Sequence, residues 1–433
     1  MRKITFIMTL LLAISSIMVN AQEGSWKGEL DIQGTKLPLV FNFSDNGCTL
    51  DSPAQGVTNI KAEKSITPEG KLKVDVPSLG AVFEGVIGQD AITGTFMQSG
   101  FSFPLTLKPG IMQVKRPQTP VAPFPYTTEE VTFNDGEIVL HGTLTLPTNC
   151  TKDTPAILMV TGSGQQDRDE ELFDHRPFAV LADALARQGI ATLRYDDRGY
   201  NDPTFPFYDF TTYHFKCDAR EGIHWLRNKF NKVGVLGHSE GGTIALMLAS
   251  EGEVDFVISL AGMSVKGKET IVKQNEVLFN SMGVPGDIIT TYCNALDNGL
   301  DEIMKGTRAE QVTLPEMPEN LKDNLLKALK ISSTPYMLHF LTLDIRGDLA
   351  KIKCPVLALN GTKDTQVDCA TNLDAIDKGL VNSKHKVVPI EGVNHLFQHC
   401  QTGAPTEYQL IEETFANEAI NCILEWIDTN CRK

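Results

Sequence analysis

The stretch Val233-Gly-Val-Leu-Gly-His-Ser-Glu-Gly-Gly242 decides how the rest of the chain is read. A short apolar strand, Val233 to Leu236, runs directly into Gly237-His-Ser-Glu-Gly241, and a helix rich in Ala, Leu and Met, Glu240 to Ser250, follows at once. A Gly-x-Ser-x-Gly pattern at a strand-to-helix junction places its serine in a tight, strained turn that lifts the hydroxyl above the sheet. The glycines let strand and helix backbones pass closely. The bare pattern is common by chance, and a Gly-rich structural turn is the alternative. Its position at the junction, with Gly242 as a further small contact, makes Ser239 the candidate nucleophile.

Outward from this turn, buried-strand runs alternate with amphipathic helices. Strands are expected at Ala156 to Val160, Ala191 to Tyr195, Val254 to Leu260, Pro355 to Leu359 and Lys386 to Ile390. Helices are expected at Pro177 to Arg187, Asp218 to Lys229 and Glu407 to Thr429. Such alternation predicts an α/β fold, a mostly parallel central sheet with helices on both faces. Thr127 to Leu146 reads as an opening hairpin turning at Asn134-Asp-Gly136. Residues 264–346 interrupt the alternation with helical, Met- and Leu-rich sequence and are expected to form a lid insertion.

A serine hydroxyl attacks only if a base takes its proton, and the base needs an orienting carboxylate. Asp364, in Asn360-Gly-Thr-Lys-Asp-Thr-Gln-Val-Asp368, and His395, in Glu391-Gly-Val-Asn-His-Leu-Phe397, each follow a strand, on loops at the carboxyl edge of the sheet. Asp368 is a nearby rival for the acid. His141 lies in the hairpin, and His399 falls further along the chain. The oxyanion formed on attack needs donors. The backbone N–H of Glu240, at the helix N-terminus, is one candidate, and that of Ser163, in Thr161-Gly-Ser-Gly164, is the other. The charged run Asp167-Arg-Asp-Glu-Glu171 reads as a self-paired solvated turn.

Upstream, Lys36 to Phe43, Lys71 to Val76 and Phe101 to Leu107 are short alternating runs broken by turn residues. They predict a small antiparallel β domain over residues 22–112, a barrel or a sandwich. Pro117, Pro120, Pro123 and Pro125 then crowd residues 113–126 and predict a stiff, extended linker into a hydrolytic domain over 127–433. At the start, Arg2 and Lys3, the apolar run Ile4 to Met18 and Val19-Asn20-Ala21 read as a cleavable signal over residues 1–21, so export to the periplasm or the cell exterior is expected. The apolar run falls short of the roughly 20 residues a membrane span requires.

Cleavage would remove two positive charges and take the formal net charge from −15 to −17. Such a surface repels phosphate backbones, so nucleic acid is not an expected partner. The nine cysteines are scattered, without Cys-x-x-Cys or metal-ligand spacing. Neither a structural zinc site nor a cofactor is expected. Cys369 and Cys400 each lie five residues past Asp364 and His395, and a disulfide between them would brace the two loops.

Taken together, Thr161-Gly-Ser-Gly164, Arg194-Tyr-Asp-Asp-Arg-Gly199, Gly237-His-Ser-Glu-Gly-Gly242, Asn360-Gly-Thr-Lys-Asp364 and Asn394-His395 resemble the α/β-hydrolase superfamily, in its serine-aminopeptidase-like and acyl-transferase-like branch of esterases. The resemblance runs from about Thr127 to the C-terminus. It implies a serine nucleophile, two backbone oxyanion donors, and acid and base on the last two sheet loops. Many relatives carry His-Gly where this chain has Thr161-Gly162. The β domain resembles one attached to some secreted bacterial members. Thr334 to Leu341 resembles a segment that lines the acyl pocket in relatives, which makes Tyr336, Met337, Phe340 and Leu341 candidate pocket residues. The expected activity is hydrolysis of carboxylic esters, with short to medium acyl chains, on a small-molecule substrate. A serine peptidase or amidase is the alternative, although no distinctive acidic pair announces a site for an amine. A non-catalytic binding protein is the third reading.

Overall fold

The structure is a computed structural model that describes residues 23–431 apart from 33–34, 45–46, 56, 68 and 112–113. The segment read as a signal lies outside the described residues. The chain forms two compact units, a smaller one reaching to Lys115 and a larger one beginning at Arg116.

In the smaller unit, β1 (Gly24–Ile32), β2 (Thr35–Ser44), β3 (Gly47–Ser52), β4 (Val57–Ile66), β5 (Leu72–Val76), β6 (Ala81–Ile87), β7 (Ile92–Gln98) and β8 (Phe101–Pro109) pair in sequence, all antiparallel. Strand β8 returns to β1, with Trp26 opposite Pro109, and the result is a closed barrel rather than a sandwich. The period-two alternation that marks these strands turns Leu39, Phe41 and Phe43 of β2 inward, where they pack with Phe83, Phe96 and Leu107. Closure leaves no unpaired sheet edge.

The larger unit opens with the hairpin β9 (Thr127–Asp135) and β10 (Ile138–Leu146). Then come β11 (Ala156–Val160), α1 (Pro177–Arg187), β12 (Ala191–Tyr195), α2 (Thr212–Arg227), β13 (Val233–His238), α3 (Glu240–Ser250) and β14 (Val257–Leu260). An inserted helical region holds α4 (Gly267–Ser281), α5 (Gly286–Met304), α6 (Glu319–Ser332), α7 (Pro335–Thr342) and the short α8 (Arg346–Leu349). The chain then resumes with β15 (Val356–Gly361), α9 (Cys369–Gly379), β16 (His385–Ile390) and α10 (Asn417–Asn430). The sheet order is β16-β15-β14-β13-β11-β12-β10-β9, parallel from β12 through β16, with β10 and β9 antiparallel at one edge. This is the α/β-hydrolase fold.

Alternation along each buried strand sorts side chains to opposite faces of the sheet. In β11, Leu158 and Val160 join α2, α3 and α9 on one face, and Ile157 and Met159 join α1 and α10 on the other. The inserted helices carry a core of their own: Ile289, Tyr292, Leu296, Leu300 and Ile303 recur at helical spacing on α5 and meet Leu325 and Leu329 of α6.

Several expectations shift. Helix α2 begins at Thr212, six residues before the expected Asp218, because Thr211 and His214 form a capping box. The last helix begins at Asn417 rather than Glu407, whose carboxylate instead accepts the N–H groups of Thr402 and Gly403. The Pro-rich segment is not a free spacer. Arg116 donates to the carbonyls of Phe173 and Ile411, Gln118 pairs with Thr414 and Phe415, and Tyr126 donates to Asp183, all within the larger unit. Among the described residues no helix is long and apolar enough to cross a membrane.

Candidate active site

Strand order reverses between β11 and β13, and a crevice opens at the carboxyl ends of strands at such a point. The loops after β11 and β13 therefore face one another there. Ser239 stands between β13 and α3, as the residue before the helix, with φ 53° and ψ −119°, a conformation L-residues rarely hold. Its N–H is fixed by the carbonyl of Leu260 at 2.8 Å, and its side chain does not cap the helix, so the hydroxyl is left for other use. The glycines on either side are sterically required. A Cβ at Gly237 would lie 2.0 Å from the Gly241 carbonyl oxygen, and one at Gly241 would lie 2.1 Å from that of Val160.

His395 and Asp364 meet across two loops. His395 Nδ1 lies 2.7 Å from Asp364 Oδ2, and both side chains are almost fully buried. Asp364 Oδ1 accepts the N–H groups of Gln366 at 2.7 Å and Val367 at 2.9 Å, so this carboxylate has one oxygen committed to its own loop and the other to the imidazole. Asp368 is occupied otherwise: it caps α9, accepting the N–H of Thr371 at 2.9 Å. The His395 turn is shaped by Asn394, whose Oδ1 accepts the N–H of Leu396 and of Gln398, and by Phe397, stacked on Phe415. No hydrogen bond joins Ser239 Oγ to His395; a bond between nucleophile and base is one that tightens around substrate.

The loop after β11 is held from below. Asp197 accepts the hydroxyl of Thr161 and the N–H of Gln166, each at 2.9 Å. Burial pushes its carboxyl well up, against the pull of those two bonds. The N–H of Gly162 donates to Glu170 at 2.7 Å, which leaves Ser163 as the donor candidate of this loop and Glu240 as that of the elbow. The Glu240 side chain is fully engaged. It accepts Thr212 at 2.6 Å and Tyr336 at 2.5 Å, and burial raises its pKa although those bonds and one from Ser163 oppose the rise.

The structure corrects three expectations. The run Asp167 to Glu171 pairs within itself only through Asp167, which accepts the N–H of Glu171; Arg168 binds Asp196 and Glu130, Asp169 binds Arg194, Glu171 binds Arg176, and Glu170 is buried against His238. The partners of Arg168, Asp169 and Glu170 are distant in sequence, so these three residues tie elements together rather than facing solvent. Leu341 does not wall an open pocket, because it is fully buried in the core of the inserted helices. Its neighbour Tyr336 is also buried, packed on Phe207 and bound to Glu240, which leaves Met337 and Phe340 as the half-buried members of the four. Finally, Cys369 and Cys400 are free thiols, the Sγ of one directed at the Asn360 carbonyl and that of the other at the Gly392 carbonyl. Burial pushes them up to about 12 and about 11.

Among the described residues no three His, Cys, Asp or Glu side chains gather as metal ligands. Sequence reasoning missed the supports: Glu170, His238, and the pairing of Arg198 with Asp218 at 2.6 Å and Asp135 at 2.9 Å. The spacing of Arg194-Tyr-Asp-Asp-Arg198 was the available signal, since four charges at the end of a buried strand require partners.

Residues 135–387 match the profile of the X-Pro dipeptidyl-peptidase family, S15, which is more than half of the chain. The chain belongs to the S15 family. The matched stretch holds Ser239 and Asp364 and stops short of His395. This S15-family chain is also similar to esterase EstD of Thermotoga maritima, 28% identical over 173 residues, and the match spans 40% of each chain. Among solved structures it is similar to Est1E from Butyrivibrio proteoclasticus, with 16% identity and a TM-score of 0.41 over 70% of this chain and 99% of that one. It is likewise similar to a proline iminopeptidase of Mycobacterium smegmatis, with 15% identity and a TM-score of 0.42 over 70% and 98%. Family and fold together place this chain in the α/β-hydrolase superfamily.

Proposed function

We propose that the protein is an exported serine hydrolase that cleaves carboxylic esters through an acyl-serine intermediate. The observation that carries this reading is the pairing of a strained serine at the head of α3 with a buried His395–Asp364 contact of 2.7 Å at the same sheet edge. Ser239 Oγ attacks the ester carbonyl carbon while His395 Nε2 takes its proton, and Asp364 holds the imidazole in the tautomer that leaves Nε2 free to accept. The oxyanion is met by the N–H groups of Ser163 and Glu240, the latter at a helix N-terminus. Collapse expels the alcohol, protonated by His395. Water activated by the same imidazole then releases the acid and restores Ser239.

Two features support an ester over a substrate with a free α-amine. An ammonium group in a dry site needs a carboxylate partner. Glu240, the acidic side chain beside the nucleophile, is already bonded to Thr212 and Tyr336, and burial raises its pKa. Met337 and Phe340 on α7 add an adaptable apolar wall suited to short or medium acyl chains. A peptidase reading is kept because the family match is to X-Pro dipeptidyl-peptidases.

The test is a panel of p-nitrophenyl esters of graded acyl length beside aminoacyl and Xaa-Pro dipeptidyl anilides. We expect kcat/KM for the acetate or butyrate at least about tenfold above that for any anilide. Faster cleavage of an Xaa-Pro anilide than of every ester would make the protein a peptidase.

A further inference from the structure

Beside His395 and Asp364 lies a second buried acid–histidine pair that the reaction above does not use. Glu170 Oε1 accepts the N–H of Gly162 at 2.7 Å and lies 2.9 Å from His238 Nδ1, while His238 Nε2 lies 2.9 Å from the carbonyl oxygen of His395. A carbonyl can only accept, so Nε2 carries a proton and donates it to His395. All three residues are more than nine-tenths buried. Glu170 reaches this place at φ 54°, a left-handed conformation that a residue with a Cβ rarely adopts. His238 immediately precedes Ser239, and its ring lies 4.7 Å from that of His395, centroid to centroid.

We propose that Glu170 and His238 are positioning residues of the active site, forming one bridge that fixes the oxyanion loop, the nucleophile elbow and the backbone of the base loop relative to one another. The proposal rests on the serine-hydrolase reading. Each end of the bridge has a distinct task. The Glu170 end turns the Gly162 N–H into the protein and so sets the loop that presents Ser163. The His238 end holds the main chain of His395, complementing Asp364, which holds its ring. Burial alone would lower the pKa of the imidazole, but the Glu170 carboxylate, the His395 carbonyl and Asp364 outweigh it and the value is raised. Placement errors of about 1 Å around a reacting group can cost about 10² in rate. A bridge of this kind should therefore act on kcat and not on substrate binding.

The experiment compares Glu170→Leu, Glu170→Gln, His238→Asn and the double variant Glu170→Leu/His238→Asn, with wild-type protein and p-nitrophenyl butyrate. Turnover is expressed per Ser239 labelled by a fluorophosphonate, so that loss of folded protein alone does not change it. Glu170→Leu removes the shared acceptor. His238→Asn keeps the Glu170 contact and gives up the donor to His395. Each should lower kcat by about 10- to 100-fold with KM within about twofold. Glu170→Gln, which returns an oxygen to the same place, should restore kcat to within about fivefold. The double variant should be no slower than the slower single one, because the interaction is shared. If Glu170→Leu fails to fold, His238→Asn decides by the same criterion. Folded variants within twofold of wild-type kcat overturn the proposal, as do losses confined to melting temperature. A wild-type protein unlabelled at Ser239 would instead bring down the hydrolase reading, and this inference with it.

Discussion

Replacing Asp364 by Asn isolates what the acid does, because the structure dictates which way the amide must face. The Gln366 and Val367 N–H groups both donate to Oδ1, so the carbonyl oxygen of the new side chain has to occupy that position. Its NH2 group is then left where Oδ2 was, 2.7 Å from His395 Nδ1. An NH2 donor there makes Nδ1 the acceptor and puts the ring proton on Nε2, the atom that must accept from Ser239. Wrong-tautomer substitution of this kind costs about 10⁴ in kcat, which is about 5 kcal/mol of barrier. The loop should stay folded, since both backbone donors keep their acceptor. Asp364→Ala would instead strand them at about 1–3 kcal/mol each. Stopped-flow and steady-state assays with p-nitrophenyl butyrate, beside thermal melts, separate the two variants. Asp368→Asn is the control: Asn also caps helices well, so neither rate nor melting temperature should move much. An Asp364→Asn enzyme within tenfold of wild type, or a larger loss from Asp368→Asn, would refute this assignment.

Three other outcomes follow from the same geometry. Gly241→Ala places a methyl group 2.1 Å from a strand carbonyl that cannot retreat, so it should destabilise the larger unit by at least about 1–3 kcal/mol, read as a fall in melting temperature. Tyr336→Phe withdraws one hydroxyl from the buried Glu240 and loosens α7; a loss of about 1–3 kcal/mol is expected in denaturant titration, and an unchanged midpoint would show that the contact holds nothing. The raised pKa of His238 means that the folded state binds its proton more tightly than the unfolded chain does. The stabilisation is complete below about pH 6.5 and is lost as pH rises above it, so the stability gap between wild type and His238→Asn should narrow from pH 6 to pH 9. A gap that widens over that range would reverse the sign.

The sequence made legible whatever depended on local pattern. β11 and β12 run over the residues that their apolar content marks, because strands buried on both faces leave little choice of boundary. The elbow was legible because its glycines answer a local steric demand. What escaped depended on partners far along the chain. Glu170 stands in a run that looks like a solvated turn, and only folding brings it to His238, 68 positions later. The four candidate pocket residues lie within one and a half turns of a single helix, and sequence spacing did not reveal that Tyr336 would pack with the sheet-side core and Leu341 with the inserted helices. The Cys369–Cys400 bridge failed for a related reason: equal spacing from Asp364 and His395 says nothing about where a sulfur points.

The central claim is that Ser239 is the nucleophile, and covalent labelling tests it most directly. The purified protein should take up about one equivalent of a fluorophosphonate, peptide mass spectrometry should place the adduct on Ser239, and Ser239→Ala should take up none while melting like wild type and losing about 10⁶ in kcat. An adduct on another residue, or a Ser239→Ala protein that keeps more than a few per cent of wild-type turnover, would contradict the account.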